Sequence, residues 1–156
     1  MRSPRIDRDR LDARQDLDIV GYVKTLTTLR KDLPVSTVAG PDFIALQVRD
    51  IERAAKFYER ELGFTRAANS PPHAVVFATQ PIAFAVRDPL PGTDLDRGEP
   101  GLGVALWLRA DDAQALHDRL AQHGVTILTE PVDGPFGRTF TLRDPDGYAI
   151  TIHDAG

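Results

Sequence analysis

The sequence contains no cysteine, which excludes disulfide bonds, thiolate nucleophiles and metal sites with cysteine ligands. It also lacks an apolar run approaching the roughly 20 residues that a membrane-spanning helix needs. Residues 1–5, Met-Arg-Ser-Pro-Arg, lack the apolar segment of a secretion signal. These absences predict a cytoplasmic protein with no membrane partner.

Basic residues are also fewer than acidic residues. The chain carries 19 Lys and Arg against 23 Asp and Glu, a formal net charge of −4, and its sequence pI is about 5.5. Because nucleic-acid-binding surfaces are usually basic, we expect no nucleic-acid partner. Neither a Gly-x-Ser-x-Gly elbow nor a glycine-rich phosphate loop is present. No catalytic residue is therefore predicted, and whether the protein is an enzyme stays open.

The sequence does contain a strand–helix unit that occurs twice. The first copy is an apolar strand at residues 43–49, followed by an amphipathic helix that ends at Gly63. The second copy is a strand at 103–109, followed by Asp111 and a helix that ends at Gly124. Two such units cannot bury their apolar faces alone, so we expect them to pair and to leave a cleft between them.

The domain organisation follows from this repeat. Residues 1–40 are predicted to be an N-terminal extension with a helix around 17–33, and residues 41–156 a single domain. After its helix, each repeat is predicted to contain three short strands, at about 64–68, 73–79 and 82–87 in the first repeat and 125–130, 138–143 and 148–153 in the second. The repeats span about 43–87 and 103–153 and are joined by a Pro/Gly-rich linker at about 88–101.

The motifs inside the repeats resemble a known superfamily. These motifs are Val48-Arg-Asp50, Phe57-Tyr58, Glu61-Leu-Gly-Phe64 and Phe140-Thr-Leu-Arg-Asp-Pro-Asp-Gly147. In this order they resemble the vicinal oxygen chelate superfamily, which includes glyoxalase I, extradiol dioxygenases, fosfomycin-resistance enzymes and bleomycin-resistance binding proteins. The resemblance covers about 43–153. It implies an α+β fold in which two βαβββ repeats form curved, mostly antiparallel four-stranded sheets around a cleft, and it implies a homodimer.

The resemblance also implies where a metal ion would bind in the metal-dependent members. Their His, Gln or Glu ligands come from the first and last strands of each repeat. The corresponding positions here are Phe43, Gly103 and Thr151, and the last strand of the first repeat (82–86) carries no donor side chain. Phenyl, hydrogen and a neutral hydroxyl are poor ligands for a divalent ion. We therefore expect no metal and no cofactor.

Strand alternation indicates what lines the cleft instead. The predicted lining is apolar and aromatic with few polar side chains, which is typical of a site for a planar or hydrophobic organic molecule. Alternation gives Phe43, Gln47, Trp107, Thr151 and His153 as candidate ligand-binding residues, with Phe84 as further aromatic surface. The resemblance implies that Phe136 and Arg138 also border the cleft and can contact a ligand. An acidic surface would weakly favour a cationic ligand through long-range steering. It comprises Asp42, Asp94, Asp96 and Glu99.

Three functions are compatible with this pattern. The favoured one is metal-independent binding of a small aromatic or hydrophobic molecule, with antibiotic sequestration as a possible purpose. The second is a metal-dependent lyase, isomerase or dioxygenase with displaced ligands, built from His153 and Gln47 together with Glu130 or His73. The third is a structural or regulatory dimer whose cleft is vestigial. Metal content after purification separates the first two hypotheses.

Overall fold

The computed structural model describes residues 38–154, so the predicted helix around 17–33 lies outside the described residues. The expected α+β fold with two repeated units and two sheets is confirmed, and the second repeat has the full βαβββ order. The elements are β1 (Phe43–Gln47), α1 (Ile51–Arg60), β2 (Ala74–Phe77), β3 (Ala83–Arg87), β4 (Leu106–Arg109), α2 (Ala113–Gln122), β5 (Thr126–Gly134), β6 (Gly137–Arg143) and β7 (Ala149–His153). Of the helices between residues 38 and 154, none is long and apolar enough to cross a membrane.

The strands form two sheets, ordered β1-β3-β2 and β4-β7-β6-β5. In each repeat the first strand pairs in parallel with the last, and the other pairs are antiparallel. Equivalent hydrogen bonds end the two parallel ladders, from Val48 N to Arg87 O at 2.9 Å and from Ala110 N to His153 O at 2.8 Å. The strands β1 and β4 each lie at one edge of their sheet, and β2 and β5 lie at the opposite edges.

The first sheet has three strands because the strand expected at 64–68 does not form. This segment makes only an isolated bridge to β2, at Arg66. The guanidinium of Arg66 instead binds α1, with Nη2 at 3.1 Å from Glu52 Oε2 and Nε at 2.8 Å from Glu59 Oε1. Ser-Pro-Pro at 70–72 follows at once, and proline cannot donate to a ladder. These two features limit the pairing to a single bridge.

Each helix begins at an aspartate. Asp50 Oδ1 accepts a hydrogen bond from Arg53 N at 2.9 Å, as expected for an N-cap. In the second repeat the cap is Asp112, not the expected Asp111, and its Oδ1 accepts from Ala115 N at 2.8 Å. The aligned caps change the correspondence between the repeats, because Phe43 is now equivalent to Ala105 and not to Gly103.

Each helix packs on one face of its own sheet. Helix α1 buries Ala54, Ala55 and Tyr58, and α2 buries Ala113, His117 and Leu120. The sheet residues that they cover form the core, comprising Val48, Val75, Phe77, Phe84, Val86, Phe140, Leu142, Ile150 and Ile152. Removal of this apolar surface from water is the main force that holds each helix on its sheet.

The turn between β6 and β7 fastens the second repeat to the first. Tyr58 Oη donates to Asp144 Oδ2 at 2.8 Å, and both side chains are buried. Arg49 N donates to Asp146 Oδ1 at 2.7 Å, and Tyr148 Oη donates to the carbonyl of Gln47 at 2.9 Å. We call the Tyr58–Asp144 hydrogen bond the clasp. Together the three hydrogen bonds hold α1 and the end of β1 against the turn between β6 and β7.

Candidate functional site

The face of each sheet that turns away from its helix is open. On β1 the residues Ile44 and Leu46 pack against the core, so Phe43, Ala45 and Gln47 lie on the other face. The second sheet follows the same alternation. Its open face carries Trp107, Arg109, Thr151 and His153, whereas Leu106, Leu108, Ile150 and Ile152 belong to the core or pack against it. We call these two surfaces together the open face.

The edge strands β1 and β4 do not pair with each other in the described sheets, and a groove runs between them. One end of the groove is a cavity of about 590 Å³, which we call the linker cavity because β1, residues 99–106 and Ala149 line it. The other end is a cavity of about 560 Å³, the tryptophan cavity, whose wall includes Pro81, Ile82, Trp107, Arg109 and His153. Each cavity lies within the ~300–1,000 Å³ typical of sites for small molecules.

An aromatic cluster stands at the tryptophan cavity. Trp107, the only tryptophan in the sequence, is 44% exposed. Its ring meets the edge of Phe136 at a centroid distance of 5.4 Å and lies 6.0 Å from the imidazole of His153. Thr151 is the strand neighbour of Trp107, and its hydroxyl lies 3.1 Å from that of Thr141. Four predicted site residues, Trp107, Phe136, Thr151 and His153, are thus brought together.

The first repeat contributes two predicted residues to the open face. Phe43 is half exposed at the start of β1. Gln47 is already engaged, because its Oε1 accepts from the backbone N of Leu90 at 2.6 Å and its carbonyl accepts from Tyr148 Oη. Gln47 therefore holds the linker against β1.

Phe84 does not lie on the open face. Its register partner is Ile44, which packs against the core, and its own side chain is only 2% exposed. Its ring packs against Tyr58 at 4.9 Å and against Phe64 at 5.5 Å. Phe84 nevertheless forms part of the inner wall of the tryptophan cavity, so its contact with a ligand stays a prediction. Phe140 lies in the core for the same reason of parity.

Arg138 is also placed away from the open face. Its guanidinium binds both oxygens of Asp133, at 2.9 and 3.1 Å, and donates to Gln114 Oε1 of α2 at 2.9 Å. The hydrogen bonds and charge of Arg138 hold the pKa of Asp133 below its usual range. Arg138 therefore ties the β5–β6 hairpin to α2, because strand alternation turns it to the helix side while Thr139 faces the open side.

Arg109 belongs to the site although sequence reasoning overlooked it. It is the register partner of His153 and shares the open face with Trp107. Within residues 38–154 its side chain forms no ion pair and no hydrogen bond. Nδ1 of His153 is buried and likewise has no partner among the described groups. The alternation that identified Trp107 on the strand would also have identified Arg109.

The positions that would hold a metal ion do not fit one. Aligned on the helix caps, they are Phe43 and Ala105 on the first strands, and Ala85 and Thr151 on the last strands. The Thr151 hydroxyl contacts that of Thr141, and the other three side chains have no donor atom. This donor set cannot supply the carboxylate or imidazole ligands that a divalent ion prefers.

The alternative metal site with displaced ligands, built from His153 and Gln47 with Glu130 or His73, does not form either. Gln47 is bonded to the linker, Glu130 Oε2 lies 3.1 Å from His117 Nε2, and His73 Nδ1 lies 2.9 Å from Asp88 Oδ2. The structure brings none of these groups to His153. In the part of the chain that is described, no three His, Asp or Glu side chains are placed to share an ion.

Comparison with known families gives one extended match. The model of the Glyoxalase/Bleomycin resistance protein/Dioxygenase superfamily matches residues 40–152, which is the whole of both repeats.

Individual relatives agree with that match. The solved structure of TnmS3, an antibiotic binding protein from Streptomyces sp. CB03234, is 28% identical, with a TM-score of 0.62 over 78% of this chain and 100% of that one. A glyoxalase/bleomycin resistance protein from the same strain is 29% identical, with a TM-score of 0.60 over 74% and 100%. The virulence protein STM3117 of Salmonella typhimurium is 28% identical over 116 residues, covering 71% of this chain and 81% of that protein.

Proposed function

Because this chain belongs to the glyoxalase/bleomycin resistance protein/dioxygenase superfamily, we propose that it binds a small aromatic or hydrophobic molecule in the inter-repeat groove, without a metal ion. The observation that carries this proposal is the cluster of Trp107, Phe136 and His153 beside the tryptophan cavity. The family alone does not decide the function, because one fold serves many chemistries. The residues of the site must decide it.

The cluster has the physical character of a ligand platform. A tryptophan that is 44% exposed at a concave wall leaves a large apolar surface in water. A planar ligand placed on this indole would remove that surface from water, and Phe136 offers a ring edge beside it. Aromatic contacts of this kind contribute about 0.5–1.5 kcal/mol beyond the burial of area. The groove thus favours a flat, largely apolar molecule.

Metal independence rests on the donors at the family's ligand positions. Phe43, Ala105 and Ala85 offer none, and Thr151 offers only a hydroxyl that contacts Thr141. Lewis-acid catalysis requires an ion held at a defined position by such donors. We therefore propose a binding protein and assign no reaction to the groove.

Antibiotic sequestration is a specific form of this proposal. It is supported by the likeness to TnmS3, which is described as an antibiotic binding protein. Expression in a susceptible bacterium should raise the inhibitory concentration of a planar aromatic antibiotic, and the Trp107→Ala variant should not. Equal protection by the wild type and by Trp107→Ala would contradict a role for this groove.

Binding itself can be tested by calorimetric titration with 2-naphthalenemethanol, a neutral planar probe. Trp107→Ala should weaken its affinity by about tenfold or more, since a central aromatic anchor typically contributes over 1.4 kcal/mol. Leu128→Ala is the matched control, because Leu128 is 38% exposed and lines neither cavity. No binding of any planar probe to the folded protein would overturn the proposal.

The metal requirement has its own test. Titration in the presence of EDTA should give the same affinity as titration without it, and elemental analysis after chelator-free purification should find substoichiometric metal. One tightly held transition ion per chain, lost together with probe binding, would instead support the displaced-ligand enzyme.

We also propose that the chain forms a homodimer. Leu102 and Val104, at the linker cavity, are 83% and 73% exposed. Exposure of this apolar surface to water is unfavourable for a chain that remains monomeric. A second copy of the chain would cover them. Sedimentation should give the dimer mass, and the double variant Leu102→Ser/Val104→Ser should shift the population toward monomer. A wild-type protein that sediments as a monomer would contradict this proposal.

A further inference from the structure

We propose that the aromatic ligand carries a negative charge, a carboxylate or a phenolate, which Arg109 and His153 bind at the end of the tryptophan cavity. This inference rests on the proposed function and goes beyond it by naming the class of ligand. Three features of the described residues carry it: an arginine without an anion, an imidazole nitrogen without a partner, and local carboxylates that are already engaged.

Arg109 has no ion pair among the described residues, a feature that it shares with Arg87 and Arg97, whereas other arginines nearby are paired with carboxylates. Arg49 binds Asp96 at 2.7 Å, Arg143 lies 3.4 Å from Glu99, and Arg138 binds Asp133 at 2.9 Å. Arg109, by contrast, has no carboxylate within ion-pair distance anywhere in residues 38–154. A guanidinium is a planar fork of donors that matches the two oxygens of a carboxylate. On the wall of a cavity, this group is positioned to receive one.

His153 supplies the second polar point. Its Nδ1 is buried, and none of the described protein atoms hydrogen-bonds to it. A buried polar atom without a partner destabilises the fold by an amount comparable to a lost hydrogen bond. Because His153 is the register partner of Arg109 and packs beside Trp107, the imidazole and the guanidinium flank one stacking surface. A ligand anion on this surface would contact the guanidinium and lie beside the imidazole ring.

The carboxylates near this end of the groove keep their charge, but Asp154 is held by backbone N–H groups of other elements. Both oxygens of Asp154 are used, Oδ1 by Arg138 N at 2.7 Å and Oδ2 by Ala113 N at 3.2 Å. Of the acidic surface residues that suggested a cationic ligand, Asp96 and Glu99 are paired with arginines. Long-range steering by the remaining acids is screened by salt over about 10 Å, whereas contact with Arg109 inside the cavity is screened less. The local charge therefore decides the preference.

The test compares three probes with one ring system: 2-naphthoate, the neutral 2-naphthalenemethanol and the cationic 2-naphthylmethylamine. Calorimetry at pH 7 should show naphthoate binding at least about tenfold more tightly than the alcohol, since hydrogen bonds to charged groups are the stronger ones. The amine should bind most weakly. Arg109→Gln should remove the advantage of naphthoate and leave the affinity for the alcohol within about twofold.

Arg60→Gln is the matched control, because Arg60 is an exposed arginine on α1 and its loss changes the net charge equally. It should keep the full preference for naphthoate. His153→Phe, which keeps an aromatic ring, should reduce the preference in part. Circular dichroism checks that each variant is folded.

The outcomes separate this inference from the proposed function. Equal binding of naphthoate and alcohol, or an undiminished preference in Arg109→Gln, would overturn the charge assignment and leave aromatic binding intact. Failure of all three probes to bind the folded wild type would overturn the proposed function and this inference with it.

Discussion

The two repeats put different side chains at equivalent positions of the same scaffold. Aligned on their helix caps, Ala45 corresponds to Trp107 and Gln47 to Arg109 on the first strands. On the last strands, Ala85 corresponds to Thr151 and Arg87 to His153, as the equivalent ladder hydrogen bonds show. The first repeat thus has two alanines where the second has its indole and its hydroxyl.

The polar groups of the two repeats also differ in what they bind. Gln47 Oε1 accepts from Leu90 N, and Arg87 Nε donates to the carbonyl of Asp88 at 3.3 Å. Their counterparts Arg109 and His153 Nδ1 have no such partner in the described chain. The difference indicates that Gln47 of the first repeat anchors the linker, whereas Arg109 and His153 Nδ1 of the second repeat have no protein partner among the described residues.

The helices show a second asymmetry. Tyr58 and Leu120 occupy equivalent positions on α1 and α2, and both are fully buried. Only the tyrosine can form a polar bond, and it forms the clasp with Asp144 of the other repeat. The clasp therefore exists once among the described residues, and it is the buried member of a set of hydrogen bonds that join the repeats.

Breaking the clasp has the largest expected effect. Asp144→Ala removes the acceptor of Tyr58 Oη and of the backbone N–H groups of residues 146–148. Stranding these donors in a buried place should lower the free energy of unfolding by about 3 kcal/mol or more. Urea denaturation measures the loss. Tyr58→Phe, which deletes one hydrogen bond and keeps the ring, should cost only about 1 kcal/mol.

A loss below about 1 kcal/mol for Asp144→Ala would contradict the importance of the clasp. If Asp144→Ala does not fold at all, Tyr58→Phe still gives a measurable value, and an unchanged stability for that variant would contradict the same conclusion.

The second prediction tests this difference between Gln47 and Arg109. Gln47→Ala should lower the free energy of unfolding by about 1 kcal/mol, because Leu90 N loses its acceptor. Arg109→Ala, at the equivalent position, should change it by less than about 0.5 kcal/mol, because this side chain holds nothing among the described residues. Thermal and urea unfolding measure both variants. Equal losses, or a larger loss at Arg109, would contradict the comparison.

The sequence predicts the scaffold well because local rules determine most of it. Asp50 as N-cap, the glycines after each helix and strand alternation at Phe43 and Trp107 depend only on neighbouring residues. The strand at 64–68 was wrong, because whether its backbone pairs depends on the binding of Arg66 to α1. Asp111 and Asp112 are equally good caps by chemistry, and only the folded chain selects the second.

The site is less predictable because side-chain partners are distant in sequence. Arg138 was expected to contact a ligand, but Asp133 and Gln114 hold it on the helix side. Gln47 is engaged by Leu90, in a linker that carries no periodic pattern. Nothing local distinguishes an engaged arginine such as Arg138 from an unengaged one such as Arg109. That distinction arises only when the chain has folded and the ion pairs are formed.

A smaller effect is expected from a substitution at His153, on the last strand of the second repeat. His153→Phe removes a buried nitrogen that has no partner and keeps an aromatic ring beside Trp107. The free energy of unfolding should stay the same or rise by up to about 1 kcal/mol, because an unsatisfied polar atom is deleted. Urea denaturation of the unliganded protein measures it. A clear loss of stability would show that this imidazole has a structural role like that of Gln47.

The smallest expected effect is a change in the slope of stability against pH. Burial raises the pKa of Asp144 above its usual range, against the opposing hydrogen bond from Tyr58. The folded state then holds this proton more tightly than the unfolded chain does. The contribution of Asp144 is therefore most favourable below its ordinary pKa and is lost as pH rises through the raised value.

Asp144→Asn keeps the shape and removes this titration, so it isolates the effect of the clasp carboxyl from the exposed acids. The pKa of Asp133, lowered by Arg138, and that of Glu52, lowered by Arg66, give the opposite slope, at lower pH and equally in both proteins. The stability of the wild type relative to Asp144→Asn should therefore be highest near pH 4 and decline toward pH 7. Parallel curves in urea denaturation across this range would mean that the clasp carboxyl ionises as readily in the folded protein as in the unfolded chain, and that the joint between the repeats is wetter than its burial implies.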